Sequence, residues 1–446
     1  QRGADDFAVN WTLQPKEEGK RGKYHKEVLD VSSGQPVSEQ IQPRETGGGF
    51  KLYRMHYALH YIPYDWGIRI VGICTMFMFV AIISGIITHK KIFTDFFTLR
   101  TFKSQRSWLD FHNICSVLAL PFFLTITFTG LAIFFYLYLP WGMKQFYPEK
   151  PFQYFTEIRT ISQTTNIDSP PTQTDMQPIT VLLDKLPQQW ENEELATIEV
   201  KNPNTNQAKI TFKQLEDHSI TLNQTQITLD GAGEILGNTR NNSAVATLNA
   251  GVYGLHMATF AQPLLRFAFF CSGILGCLMI ASGLLLWSLK RQIQNKSEKF
   301  HLGFYLVDRL NVATFIGLPI AMLGYLFSNR LIHITETTPN YEIYTFFSVW
   351  MLSLIVALLT PKQYLWKSQV FFFGLIAVVL PIYNFVHLIN HRLIADLSSY
   401  WLFLRVDLFL LICAVFAIFI FRHIQPIQDK SIQKIKTKLA QNKVKA

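Results

Sequence analysis

Twelve histidines are spread along this chain, and two of them occupy matching places in an internal duplication. Around Tyr53 the sequence runs Tyr-Arg-Met-His56, then Pro63, Arg69 and a long apolar run carrying Ser84-Gly85. Around Tyr253 it runs Tyr-Gly-Leu-His256, then Pro263, Arg266 and an apolar run carrying Ser282-Gly283. The offset is 200 residues at Tyr, His and Pro, and 198 at Ser-Gly. Histidine just outside a membrane span is a protein's usual axial ligand for haem iron. A haem takes two imidazoles from opposite directions, and facing helices of a bundle supply them. A single interfacial histidine reads as bonded to water or lipid headgroups. A histidine repeated by duplication reads as a ligand, so His56 and His256 are candidate haem-iron ligands. His60 shares a face with His56 on a short helix before Pro63, but its repeat partner is Phe260.

A second set lies at the other end of the apolar runs. His89 ends one run and His112 begins the next. Leu109-Asp110-Phe-His112-Asn113 with Pro121 matches Val307-Asp308-Arg-Leu310-Asn311 with Pro319 at an offset of 198. A purely structural motif explains Asp, Asn and Pro in both copies. It does not ask for histidine in one copy only, so His112 has a separate job. His89 and His112 could ligate a second haem, together or with a histidine from a preceding helix. The bland alternatives are a topogenic His89 beside Lys90 and Lys91, and a helix-start His112 bonded near Asp110. His301 and His423 lie in basic loops and read as solvated or lipid-facing. His387 and His391 are four apart without an acidic companion, a weak metal signal. His25, His218 and His333 read as isolated loop or domain residues. Arg69 and Arg266 suit haem propionates, because Arg forms bidentate bonds to carboxylates. They suit snorkelling anchors equally. Arg405 and Asp407 read as partners of other groups near the same end.

The elements that carry these residues follow from composition. The 446 residues are 49% hydrophobic and only 16% charged, with 37 Phe. Uncharged stretches of about 18 or more residues are candidate spans, and they occur at 70–88, 111–143, 267–289, 310–329, 343–361 and 368–391. A seventh, 408–421, is clean after Arg405 and Asp407. These predict seven helices near 66–88, 109–139, 263–288, 307–328, 343–360, 368–388 and 400–421. Lys and Arg crowd the 89–107 and 289–305 loops, the turn after 360 and the tail after 421. Under strict alternation these all fall on one side, which is therefore cytoplasmic, and the C-terminus with them. The net charge of +10 is mostly a topology signal. Nucleic acid is not an expected partner, since no basic stripe with interleaved aromatics lies in a soluble segment. The five Cys (74, 115, 271, 277, 413) fall in apolar spans and form no CxxC pair, so they read as small buried hydrophobes.

Alternation places residues 1–50 and 141–250 outside, in a bacterial periplasm. In the second segment, Thr180–Leu186 has helical spacing. Ala196–Val200, Ala208–Phe212, Ser219–Leu222 and Gln226–Leu229 alternate like strands. This predicts a small α+β domain. Val28-Leu-Asp30 followed by Gly34 and Val37 resembles Thr228-Leu-Asp230 followed by Gly233 and Leu236. Residues 1–50 therefore read as the end of a truncated first outer domain. The duplication predicts that its helix and first part are missing from this chain. The organisation is then 51–140 a transmembrane helix pair, 141–250 the outer domain, 251–330 a second pair, 331–421 additional helices, and 422–446 a basic cytoplasmic tail. The fold class is mainly α, a multi-span bundle with small α+β outer domains.

The chain resembles the PepSY-associated transmembrane family of iron-regulated inner-membrane proteins and ferric-siderophore reductases. The resemblance rests on Leu52-Tyr-Arg-Met-His56-Tyr-Ala-Leu-His60, on Ser84-Gly-Ile-Ile-Thr-His89-Lys-Lys-Ile-Phe93 and on Arg106-Ser-Trp-Leu-Asp-Phe-His112-Asn113. Leu120-Pro121, Thr129-Gly130-Leu131 and Thr228 through Leu236 add to it, and it covers roughly 20–330. It implies PepSY-like outer domains and one or two haems b between helices. Carried over, the matching positions are His56, His60, His89, His112 and His256. The implied activity is reduction of a periplasmic ferric siderophore by electrons from an unidentified cytoplasmic or membrane donor. No glycine motif for flavin or nicotinamide is visible. Gly47-Gly48-Gly49 precedes no phosphate-binding helix pattern. The alternatives are a siderophore or iron transporter, mildly favoured by repeats, and a non-enzymatic outer binding or sensor protein.

Overall fold

The computed structural model describes residues 8–12, 24–29, 33, 35, 46–89, 91–96, 105–149, 153–159, 172–186, 190, 195–215, 219–221, 225–238, 243–294, 300–332, 338–390 and 397–444. The chain opens with an antiparallel pair, β1 (Ala8–Thr12) and β2 (Tyr24–Val28). A short helix α1 (Gly48–Ala58) leads into the long α2 (Tyr64–Thr88), and α3 (Ile92–Phe96) follows. Next come α4 (Gln105–Leu118) and α5 (Leu120–Ile133), then the short α6 (Phe135–Tyr138), α7 (Trp141–Phe146) and α8 (Gln153–Arg159). A small domain holds α9 (Ile179–Leu183), β3 (Leu195–Lys201), β4 (Lys209–Gln214), β5 (Gln226–Asp230) and β6 (Ile235–Asn238). The chain returns through α10 (Ala244–Met257) to α11 (Pro263–Gln294). It ends with α12 (Leu302–Phe315), α13 (Gly317–Leu331), α14 (Thr338–Leu359), α15 (Leu365–Asn390) and α16 (Leu397–Val444).

Among the described residues six helices are long and apolar enough to cross a membrane, or seven if the bent pair α4–α5 is one span. This is a multi-pass membrane protein. Large apolar side chains line the outside of α2, among them Ile73, Phe77, Val80 and Ile87. Water would penalise such a surface, whereas lipid tails do not. The 109–139 run, expected as one helix, is broken. Pro121 lies in the first turn of α5, has no N–H to continue the ladder, and the axis turns by 61° between α4 and α5. Its counterpart Pro319 sits near the start of α13, where α12 and α13 continue as one span.

The duplication is visible in three dimensions. Leu59 ends α1 at φ 58°, and Ala258 ends α10 at φ 50°. Pro63 and Pro263 then start the long spans. In both copies a short helix, a left-handed residue and a proline lead into a long span.

The small domain is an antiparallel meander in the order β3-β4-β5-β6. Alternate residues Ile210, Phe212, Ile227 and Leu229 point inward with Leu182 of α9 and Trp190. β1 and β2 pair antiparallel about 200 residues before the antiparallel pair β4 and β5. Ser219–Leu222, expected as a strand, is different in its described part. Ser219–Thr221 is a turn closed by the Ser219 hydroxyl, which accepts from the Thr221 N–H at 3.2 Å. The Ile220 carbonyl of this turn lies directly over Gly254 of α10, where a Cβ would collide with it. The domain therefore rests on the helix that carries His256.

Candidate functional site

His256 occupies the last turn of α10, and His56 the last turn of α1. The structure brings the two rings close together, with centroids 6.4 Å apart and planes 29° from parallel. A metal between two imidazole nitrogens, about 2 Å from each, puts the ring centres on the order of 6 Å apart. The observed spacing would leave room for one metal ion shared by the two imidazoles, and it also suits an ordinary ring contact.

The His256 ring is held from behind. Its Nδ1 lies 3.1 Å from the Thr129 hydroxyl of α5. That hydroxyl gives its one proton to the Thr125 carbonyl at 2.6 Å, so it accepts the Nδ1 proton. The lone pair is then on Nε2, the state a metal ligand needs. Gly130 makes room, since a Cβ there would lie 3.0 Å from Cε1 of the ring. Burial first, and then the neighbouring His56, push His256 below the ordinary imidazole range, against an opposing Ile126 carbonyl. The ring is a neutral base at neutral pH.

His112 has the same kind of seat at the other end of the bundle. Its Nδ1 lies 2.9 Å from the Met279 carbonyl of α11 and 3.2 Å from the Ser282 hydroxyl. A carbonyl only accepts, so Nδ1 carries the proton and Nε2 the lone pair. A Cβ on Gly283 would again lie 3.0 Å from Cε1 of the ring. Thr129-Gly130 and Ser282-Gly283 are thus two copies of one device. A hydroxyl or carbonyl fixes the tautomer, and a glycine admits the ring edge. In the sequence Ser282-Gly283 marks the repeat, and Thr129-Gly130 stands only in the family resemblance. The signal that could have found them is a small residue next to a hydroxyl, facing a histidine helix.

Residues 2–290 match the PepSY-associated TM region family. The chain belongs to that family. The PepSY-associated stretch contains both seats, with His56, His112, His256, Thr129-Gly130 and Ser282-Gly283, and leaves α12–α16 outside it. No curated protein matches the chain.

The other candidates are placed elsewhere. His60 does not share a helix face with His56, because α1 ends at Ala58. Its ring stacks on Phe347 of α14 at 5.6 Å. Burial, then Lys51 and Arg54, lower its proton affinity. His89 ends α2 with an exposed side chain, its N–H bonded to the Gly85 carbonyl at 3.0 Å. His112 faces α11, not His89. His301 caps α12 by accepting from the Phe304 N–H at 3.4 Å, and His423 bonds the Phe419 carbonyl one turn back. His387 stacks on Tyr383 at 6.1 Å. His218, His333 and His391 lie outside the described residues, as does the His25 side chain. Arg266 donates to the Ala261 carbonyl at 2.6 Å and bridges the α10–α11 turn, whereas Arg69 is exposed. Arg405 packs over Trp401, and Asp407 accepts from Asn384 at 2.8 Å. Among the described residues no cluster of three or more His, Cys, Asp or Glu could hold a metal ion.

Proposed function

We propose that this membrane protein is a haem-b reductase that passes electrons across the bilayer to a ferric siderophore in the bacterial periplasm. The observation that carries the reading is the His56–His256 pair, at 6.4 Å between ring centres with His256 fixed as an Nδ1–H tautomer. A haem b bound between these rings would supply one-electron transfer, at a potential tuned by its ligands and their hydrogen bonds. The chain's part is to hold the two rings close together and, through Thr129, to keep the His256 proton on Nδ1. His112, in its matching seat near the other face, is the candidate ligand of a second haem.

The orientation rests on the basic residues. Lys and Arg crowd the His112 side of the bundle, which makes that side cytoplasmic and the His56–His256 side periplasmic in the inner membrane. The small domain then sits beside the outer pair. Ferric iron is held tightly by the hard oxygens of a siderophore. One added electron gives Fe(II), which those ligands hold weakly, and the metal is released for uptake. The electron comes from a donor on the cytoplasmic side or in the membrane.

Pre-reduced protein in detergent tests this. Addition of a ferric siderophore should reoxidise it, with Fe(II) captured by a ferrous chelator. Reduced haem that persists with every ferric chelate, while proteoliposomes accumulate the intact siderophore, replaces the reductase reading with a transporter.

A further inference from the structure

Beyond the family-matched stretch, Glu342, near the start of α14, is completely buried. Its carboxylate accepts from the Thr46 hydroxyl at 2.7 and 2.8 Å, from the Gly47 N–H at 2.8 Å and from Asn329 Nδ2 at 2.7 Å. Two of these three donors belong to the residues that start α1. A helix N-terminus has unpaired N–H groups and a positive dipole end. A buried anion needs such partners, since its charge is otherwise very costly to desolvate. Among the described residues no Lys or Arg pairs with Glu342, so the helix start answers the charge.

The neighbouring residues are built around this contact. Tyr325 of α13 donates its hydroxyl to the Gly48 carbonyl at 3.0 Å. A Cβ on Gly47 would lie 2.6 Å from the Tyr325 hydroxyl oxygen and 3.3 Å from the carboxylate, and Gly48 adopts φ +51°. The glycine run therefore lets backbone approach a buried acid. Along α1, Leu52 and Met55 pack against Ala321, Tyr325, Ile343 and Phe346 of α13 and α14. His56 follows Met55 directly. The cradle thus holds α1 by its start and by the face beside the histidine.

We propose that Glu342 is a positioning residue for His56, and that α13 and α14 serve as the cradle that aims this ligand at His256. The aim of His56 rests on the haem reading above; the anchoring of α1 does not. The test uses the full-length protein in detergent, as wild type, Glu342→Gln and Glu342→Ala. Hydrogen exchange of the α1 amides 51–58 reads the anchor without haem. Hydrogen bonds to a charged group being strong, Glu342→Ala should lose about ten- to hundred-fold protection there, and Glu342→Gln about ten-fold, with α10 and α11 unchanged. The low-spin spectrum and midpoint potential of the His256-dependent haem should shift in the same order, and any signal lost in His112→Ala should stay. Unaltered α1 exchange in both variants overturns the proposal. So does a uniform loss of protection across α10, α11 and α14 in Glu342→Gln, which marks a merely structural acid. If Glu342→Ala does not accumulate, Glu342→Gln, which keeps the volume and one acceptor oxygen, decides alone. A wild-type protein without haem sinks the reductase reading, and the exchange arm still decides the anchor.

Discussion

His256 and His112 sit in the same kind of seat at opposite ends of the bundle, yet among the described residues only His256 has a second imidazole ring packed close to it. Each ring has Nδ1 on an acceptor and its edge against a glycine. The difference lies in what approaches from the front. At His256 it is α1, held by α13 and α14, which brings His56 to 6.4 Å. The comparison separates two jobs. The seat sets the protonation state of one ligand, and a second element decides whether that ligand can close a site. The duplication shows the same division. Positions 198 residues after His112 and Thr129 hold Leu310 and Phe327, so the later copy keeps the fold and loses the seat chemistry. Its helices are free to pack α1 instead.

The largest effect should come from the closed pair. His256→Ala is expected to remove about one haem equivalent, because a two-imidazole site with one ligand lost binds weakly. Unchanged pyridine-haemochrome content would break the comparison at its strong end. Next, His112→Ala should slow haem reduction by an inside donor while the outer signal keeps its spectrum. His301→Ala serves as the control, since His301 caps α12, and an equal effect from it would reject the ranking.

A subtler change addresses the seat itself. Thr129→Val removes the acceptor for Nδ1–H without altering the ligand, and loss of such a supporting bond costs about 10-fold or more in metal affinity. Haem retention in competition with apomyoglobin would measure it, and wild-type retention would show that the hydroxyl is incidental. The pH dependence follows from burial of His256. A free imidazole titrates near about pH 6.5, but this ring's value is lowered. The ring therefore takes up a proton at a lower pH than a free imidazole does. A haem titration whose loss is centred above 6.5 would contradict this. The smallest effect is expected at Gly283. A methyl there meets the His112 ring at 3.0 Å, so Gly283→Ala should move the ring by tenths of an ångström and shift a potential without losing haem.

Much of the bundle was legible because lipid selects long uncharged runs, which stand out in any sequence. The places of His56 and His256 were legible through the duplication. What composition could not show was geometry made by local backbone chemistry. The positive φ at Leu59 ends α1 two residues early and turns His60 away to Phe347. Pro121 breaks a run that reads as one span. The seats were hidden because a Thr-Gly or Ser-Gly pair inside an apolar helix looks like ordinary close packing. Glu342 was hidden for a different reason. Its partners Thr46 and Gly47 lie almost 300 residues away in sequence, and nothing local marks a buried acid as the anchor of another helix.

Haem per polypeptide of the purified full-length protein, with its reduced and oxidised spectra, tests the central claim most directly. A His56–His256 site predicts at least one haem b per chain, low-spin in both redox states, with that equivalent lost in either single alanine variant. A colourless protein from haem-replete cells, or a haem whose spectrum ignores both substitutions, would contradict it.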